Sequence, residues 1–323
     1  MQHDINVTAL PEVSAPSISS CAILLELSIS EIRGSKIDKR ATKAAMIQYN
    51  VQNPKDVQVT KNRFAGNKML EAINKIVRVA RTDLKAMTLA WGKMGHRIIP
   101  VAAIPQIAAH FSELENRYWE LVLGHDVRAY DEQGLAYTKH EAGFLDSYEW
   151  GKVHDSAFDG LGMLYDQDDY PSVESMRRKF AWSLSFLPVP DTGHFVSEMI
   201  GEEFANIKNT FEDYHTNAIR SMSNDLWQRV HDITSTLSTQ LDSSGGIHDR
   251  TLGNLFPLLD MLKDYNVTGD VHLEAVRQKL EDRFRGVGQF PLNKDALKDD
   301  PTLRAETKRT VDEVLASLPS LDL

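Results

Sequence analysis

The chain has 323 residues, 42% apolar and 25% charged, with 36 Lys and Arg against 46 Asp and Glu for a formal net charge of −10. This is the balance of a globular chain with ample material for a core, so a disordered or fibrous polypeptide does not fit. The single Cys21 excludes an intramolecular disulfide framework, and no apolar run approaches the roughly 20 residues of a bilayer-spanning helix.

Residues 1–20 carry Pro11, Pro16 and four serines, without the basic start and long apolar stretch of a signal peptide. They read as a flexible tail. Residues 21–323 read as a single mainly helical domain with a possible sub-boundary near 131–170. A lone cysteine among Ala22, Ile23, Leu24 and Leu25 suits a core thiol in a reducing cytoplasm.

From Cys21 to Ile32 the residues Ile23, Leu25, Leu27 and Ile29 alternate with Leu24, Glu26, Ser28 and Ser30, the period of a half-buried strand. Residues 34–100 then hold fourteen Lys or Arg against four Asp or Glu, a net of +10, which leaves 22 bases and 42 acids elsewhere. Such a split points to a surface for a polyanion. Within it, Met69, Ile73, Ile76, Ala80, Leu84, Met87 and Trp91 step by three and four and predict a helix. Lys61, Lys68, Lys75, Arg78 and Lys85 lie opposite that stripe, Lys36, Lys39, Arg40 and Lys43 precede it, and Lys93, His96 and Arg97 follow. Cations in such a track contact phosphates without reading sequence, and Tyr49, Phe64 and Trp91 are interleaved aromatics on which bases could stack if exposed. The competing reading pairs the same cations with the acidic remainder, inside the chain or across an oligomer.

Further on, Ile104, Ile107, Phe111, Leu114, Tyr118 and Leu121 predict a second helix, with Pro105 tolerated in its first turn. His140, Glu141, Asp146, Glu149, His154, Asp155 and Asp159 contain metal-donor types but repeat no ligand spacing, so a solvated loop region is expected there. A second strand is expected at Phe180, Trp182, Leu184 and Phe186, ended by Pro188 and paired with the first. The aromatics and prolines from Tyr170 to Phe195 suggest a packed joint.

The longest periodic stretch runs Phe204, Ile207, Phe211, Tyr214, Ala218, Met222, Leu226, Val230, Ile233, Leu237 and Leu241, and predicts a helix roughly 55 Å long. Ser243 to Gly246 stop it, Asp249 and Asp270 are candidate caps of the next two helices, and a short helix holds Leu303 to Leu318. Together these define an α+β, mainly α-helical fold, with a long central helix and a small antiparallel sheet.

No cofactor, metal or catalytic constellation is expected. Glu212 and His215 make only one Glu-x-x-His pair, where a di-iron bundle needs two and further glutamates. Gly160-Leu161-Gly162 and Gly286-Val287-Gly288 lack the other residues of phosphate loops, and no nucleophile elbow occurs.

Several phrases occur in order: Tyr170-Pro171-Ser172, Arg178-Lys179-Phe180, Phe186-Leu187-Pro188-Val189-Pro190, Leu226-Trp227-Gln228-Arg229 and Asn266-Val267-Thr268-Gly269-Asp270. Trp91-Gly92-Lys93-Met94-Gly95-His96-Arg97 and Ile99-Pro100 precede them. Over roughly residues 20–318 the chain resembles the domain-of-unknown-function family numbered 3150, of bacteriophages and mobile elements. The resemblance implies a phage-type protein in the host cytoplasm, in a setting with MoxR-type AAA+ ATPases, von Willebrand factor A proteins or DNA metabolism, and it supplies no catalytic residues. The resulting expectation is a non-enzymatic accessory protein that binds single-stranded nucleic acid, foremost DNA, without sequence preference and as a homo-oligomer. The alternative is an adaptor or assembly subunit for such an ATPase.

Overall fold

The computed structural model describes residues 18–92, 95–190, 202–242, 247–286 and 291–319. In chain order they form α1 (Ile18–Cys21), β1 (Ala22–Ile29), β2 (Ser35–Ile37), α2 (Lys39–Gln48), β3 (Thr60–Asn62), α3 (Lys68–Met87), β4 (Leu89–Trp91) and β5 (His96–Pro100). Next come α4 (Ile104–Leu123), β6 (His125–Tyr130), β7 (Ala136–Glu141), α5 (Phe144–Glu149), α6 (Lys152–Leu161), α7 (Val173–Arg177) and β8 (Trp182–Pro188). The chain ends with α8 (Glu202–Asp242), α9 (Asp249–Tyr265), α10 (Val271–Phe284), α11 (Lys294–Asp299) and α12 (Pro301–Ser317). Helix dominates and a small antiparallel sheet has strand order β4-β5-β1-β8, so the fold is mainly α-helical α+β as expected, with the two anticipated strands side by side. Residues 1–17 of the expected flexible tail, Lys93 and the stop after α8 lie outside the described residues, whereas Ile18, Ser19 and Ser20, also expected in the tail, open α1.

The chain divides into two compact units. One is built from residues up to 25, from 87–104 and from 186 onward; the other comprises 26–86 and 105–185. The borders fall within or beside regular elements, and none lies in the 131–170 stretch.

In the first unit α8 is the organising element. Its 41 residues span about 60 Å at 1.5 Å per residue. Ala218, Met222, Leu226, Val230, Leu237 and Leu241 are buried along one stripe, packed against α12, α9 and β4. Thr234 also sits on this stripe, fully buried, and its hydroxyl donates to the Val230 carbonyl at 2.7 Å, so no buried polar group is wasted. Phe204 and Ile207 lie outside the described side chains. Asp225 ties the helix to the sheet edge: its carboxylate accepts from the Ala90 amide at 2.8 Å and from Arg229 at 2.9 Å, and pairs with Arg97 at 3.4 Å. Replacing Asp225 by alanine is expected to lower stability by about 2–3 kcal/mol in denaturant melts, because two guanidinium groups and an amide lose their acceptor together.

Helix caps follow their chemistry. Asp270 accepts from the His272 and Leu273 amides, as expected for an N-cap. Asp249 differs: it is the first helical residue, His248 holds the cap position, and the carboxylate, in the first turn where negative charge is favoured, pairs with Lys294. The final helix has 17 residues and is not short, because Asp300 caps it and Pro301 fits its first turn.

The second unit has an aromatic centre. Phe144 lies 5.9 Å from Phe64 and 5.6 Å from Phe180, and Tyr118 lies 5.4 Å from Trp182, all edge-on or tilted as ring quadrupoles prefer. Tyr170, Phe180 and Trp182 are buried here, which is the packed role anticipated for them, while Phe195 lies outside the described residues. The expected loop region at 140–159 is instead the end of strand β7 followed by α5 and α6, with Phe144, Leu145, Tyr148, Val153 and Ala157 turned inward.

Candidate nucleic-acid interface

α3 begins where the Asn67 side chain accepts from the Leu70 amide at 2.9 Å, and it buries Leu70, Ile73, Ile76, Val77 and Ala80. At 100° per residue, Lys68, Lys75, Arg78 and Lys85 fall within an arc of about 100° on the opposite side, over about 25 Å of helix. All four are exposed. Glu71 is the one carboxylate in that arc, and Lys68, Lys75 and Arg78 hold no ion-pair partner among the described residues. Lys39 and Lys43 are exposed on α2, a helix without acidic residues and with none fully buried.

The other predicted contacts are placed differently. Lys61 is not on the helix at all: it lies in β3 with its side chain 3% exposed. Its ammonium forms ion pairs with Asp38 at 2.8 Å and Asp169 at 2.7 Å and donates to the Leu164 carbonyl at 2.6 Å. Burial works against the charge on Lys61, but the hydrogen bonds and charges of Asp169 and Asp38 outweigh it and hold the pKa above its ordinary value. Lys36 also binds Asp169, and Arg40 reaches Asp166 at 3.3 Å. Arg63, a cation the sequence reading passed over, donates to the Asp169 carbonyl at 2.7 Å. These four cations of the basic segment therefore clamp the 164–169 loop, and Lys61 is removed from any phosphate-binding surface by its burial.

Arg97 lies in β5 of the first unit, mostly buried, donating to Thr88 and pairing with Asp225. It too is structural. Lys93 lies outside the described residues. Of the interleaved aromatics, Trp91 is fully buried in β4 and meets His215 edge-on at 5.7 Å, and Phe64 is buried. Tyr49, at the end of α2, is 72% exposed and is the one that can stack on a base.

The hairpin β6–β7 was not anticipated. Its His140 is gripped on both nitrogens, Nδ1 by Asp126 at 2.8 Å and Nε2 by Asp146 at 3.1 Å, and the Gly143 amide donates to Asp146 at 2.8 Å. The hydrogen bonds to Asp126 and Asp146 raise the His140 pKa above 6.5. The linked stabilisation is present below that value and lost as pH rises through the folded pKa. Backbone amides of β6 and β7 are expected to lose hydrogen-exchange protection, corrected for intrinsic exchange, between acidic and alkaline pH; in a His140→Gln variant that dependence should vanish.

A cavity of about 470 Å³ opens in the same unit, lined by Tyr148, His154, Tyr165 and Tyr170 with Glu149 and Gln167 among its polar groups. Glu149 and His154 were expected in a solvated loop region and Tyr170 in a packed joint, and the residue spacing does not bring them together, because the rings converge from α5, α6 and the clamped loop. Among the described residues no helix is long and apolar enough to cross a membrane. No protein-family model, curated protein or solved structure matches this chain.

Proposed function

We propose that the chain is a non-enzymatic accessory protein that binds single-stranded nucleic acid without sequence preference, in the phage-type setting its family resemblance implies. The observation that carries this reading is the arc of Lys68, Lys75, Arg78 and Lys85 on the exposed side of α3, supplemented by Lys39, Lys43 and Tyr49 on α2. Cations set on rigid helix at these intervals meet phosphates in succession and leave bases free to stack. The working surface is smaller than the charge count suggests, since Lys36, Arg40, Lys61 and Arg97 are engaged by Asp169, Asp166, Asp38 and Asp225. Titrating a fluorescein-labelled oligothymidylate tests it. Four neutralised phosphates give a slope of log affinity against log salt of about −3, and no binding at about 50 mM salt sinks the reading.

A second reading, as adaptor or assembly subunit, is favoured by a different observation. Trp150, Phe158 and Met163 in and around α6 are 54%, 61% and 99% exposed, more apolar surface than an isolated helix edge calls for. On that reading the α3 cations meet an acidic protein, and their reversal changes the mass of a complex instead of an affinity for DNA.

A further inference from the structure

We infer that the cavity lined by Tyr148, His154, Tyr165 and Tyr170 is a binding site for a nucleobase. Its size is within the range of small-molecule sites, roughly 300–1,000 Å³. The rings adjoin one another: Tyr148 to His154 and His154 to Tyr170 are each 4.9 Å between centroids with planes tilted by 59° and 48°, and Tyr165 stacks on Tyr170 at 5.5 Å with 26° between planes. Tyr148 and Tyr170 are buried behind, so His154 and Tyr165 are the rings that can meet a further flat ring.

The wall divides into fixed and available members. Tyr148 donates its hydroxyl to the Pro171 carbonyl at 2.6 Å, and Tyr170 donates to the Arg63 carbonyl at 3.2 Å, so both are locked. His154 and Tyr165 are half-buried, and their side-chain polar atoms have no hydrogen-bond partner among the described residues. The same holds for the exposed side chains of Glu149 and Gln167 on the cavity lining. Four unspent hydrogen-bonding groups therefore converge on one aromatic wall: a carboxylate that accepts from an exocyclic amine, an amide and an imidazole that serve either role, and a phenol.

The clamp described above gives this site its rigidity. Tyr165, Gln167 and Tyr170 alternate with Asp166 and Asp169, the two carboxylates held by Arg40, Lys36 and Lys61. Preorganisation of this kind lowers the ordering cost of binding. Exposed Asp155 and Asp168 lie on the same two segments and disfavour phosphate there, which points to the base and not the sugar phosphate as the recognised part. The inference rests on the proposed nucleic-acid function only for the source of the base, in a strand or free.

The test uses the full chain and 2-aminopurine, whose fluorescence is quenched when it stacks. Free 2-aminopurine riboside and an oligothymidylate carrying one 2-aminopurine are titrated separately. Saturable quenching in either arm at concentrations up to about 1 mM is expected, weakened about tenfold or more in Tyr165→Ala and retained in Tyr165→Phe. Tyr165 is half-exposed, and a melting curve with the phenylalanine variant separates loss of the wall from loss of fold. Quenching by the riboside without any affinity for the strand supports the pocket and overturns the strand-binding reading. Strand binding with no quenching, or quenching equal in Tyr165→Ala, overturns the pocket and leaves strand binding standing. No saturable quenching in either arm overturns the pocket.

Discussion

Replacing Lys61 by methionine is expected to destabilise the protein by about 2–4 kcal/mol while leaving affinity for a single strand unchanged. The thioether fills the space of the lysine stem but removes the cation that Asp38, Asp169 and the Leu164 carbonyl share, so Asp38 loses its ion-pair partner and Asp169 keeps only Lys36. The figure belongs at the modest end for a broken buried pair, because the cluster lies just under the surface with Lys36 beside it 45% exposed. The loss has a pH signature. Asp38 and Asp169 are held below 3.8 in the fold, the first chiefly by the Ala41 amide, the second by Lys36 and Lys61 against an opposing effect of burial. Their contribution is present above 3.8 and lost as pH falls through the folded values, and that of Lys61 is present below 10.5 and lost as pH rises through its raised one. Between those limits the native protein should hold a stability plateau. In Lys61→Met, urea midpoints across that window should lie uniformly lower; a neutral substitution would show that the three contacts contribute nothing.

The second large effect is on binding. Reversing Lys68, Lys75 and Arg78 to glutamate places three negative charges where three positive ones stood, on a helix face that buries nothing, so folding should survive. Affinity for oligothymidylate at about 50 mM salt should fall by about 10²-fold or more, and the salt slope should move from about −3 toward zero, each lost phosphate contact removing about 0.7. Melting temperature within a few degrees of the parent protein confirms that the fold is intact. If affinity is unchanged, the strand reading fails. A change in mass by light scattering would then assign the face to a protein partner.

The longest elements were legible because their burial is periodic over many turns. The stripe from Phe204 to Leu241 lies within two residues of the observed ends of α8, and α4 begins at the predicted Ile104. Legibility failed where two periods meet. Met87 and Trp91 continue a four-residue step, yet Leu89 and Trp91, both fully buried, already follow the period of two of β4, and the helix ends at Met87. The hairpin β6–β7 escaped because β6 alternates only half-buried and exposed residues, β7 is exposed throughout and neither has an apolar run, and β2 and β3 have only three residues each. The site suffered from distance. Lys61 meets Asp169 across more than a hundred residues, and no local pattern distinguishes a lysine that reaches solvent from one that reaches a remote carboxylate.

The chain passes between its two compact units four times, near residues 25, 86, 104 and 185. Neither unit is therefore a contiguous stretch of polypeptide. On a ribosome the second unit has all its parts once residue 185 has emerged, whereas the first has its strands β1, β4 and β5 early but must wait for the helices α8 to α12. Contacts of such long sequence separation delay folding and prolong exposure of unpaired strand edges. Single-cut fragments should accordingly be poorly soluble. Truncation before α12 is the most damaging case, because it removes Val311 and Val314, fully buried partners of the long helix, after every earlier element has been synthesised.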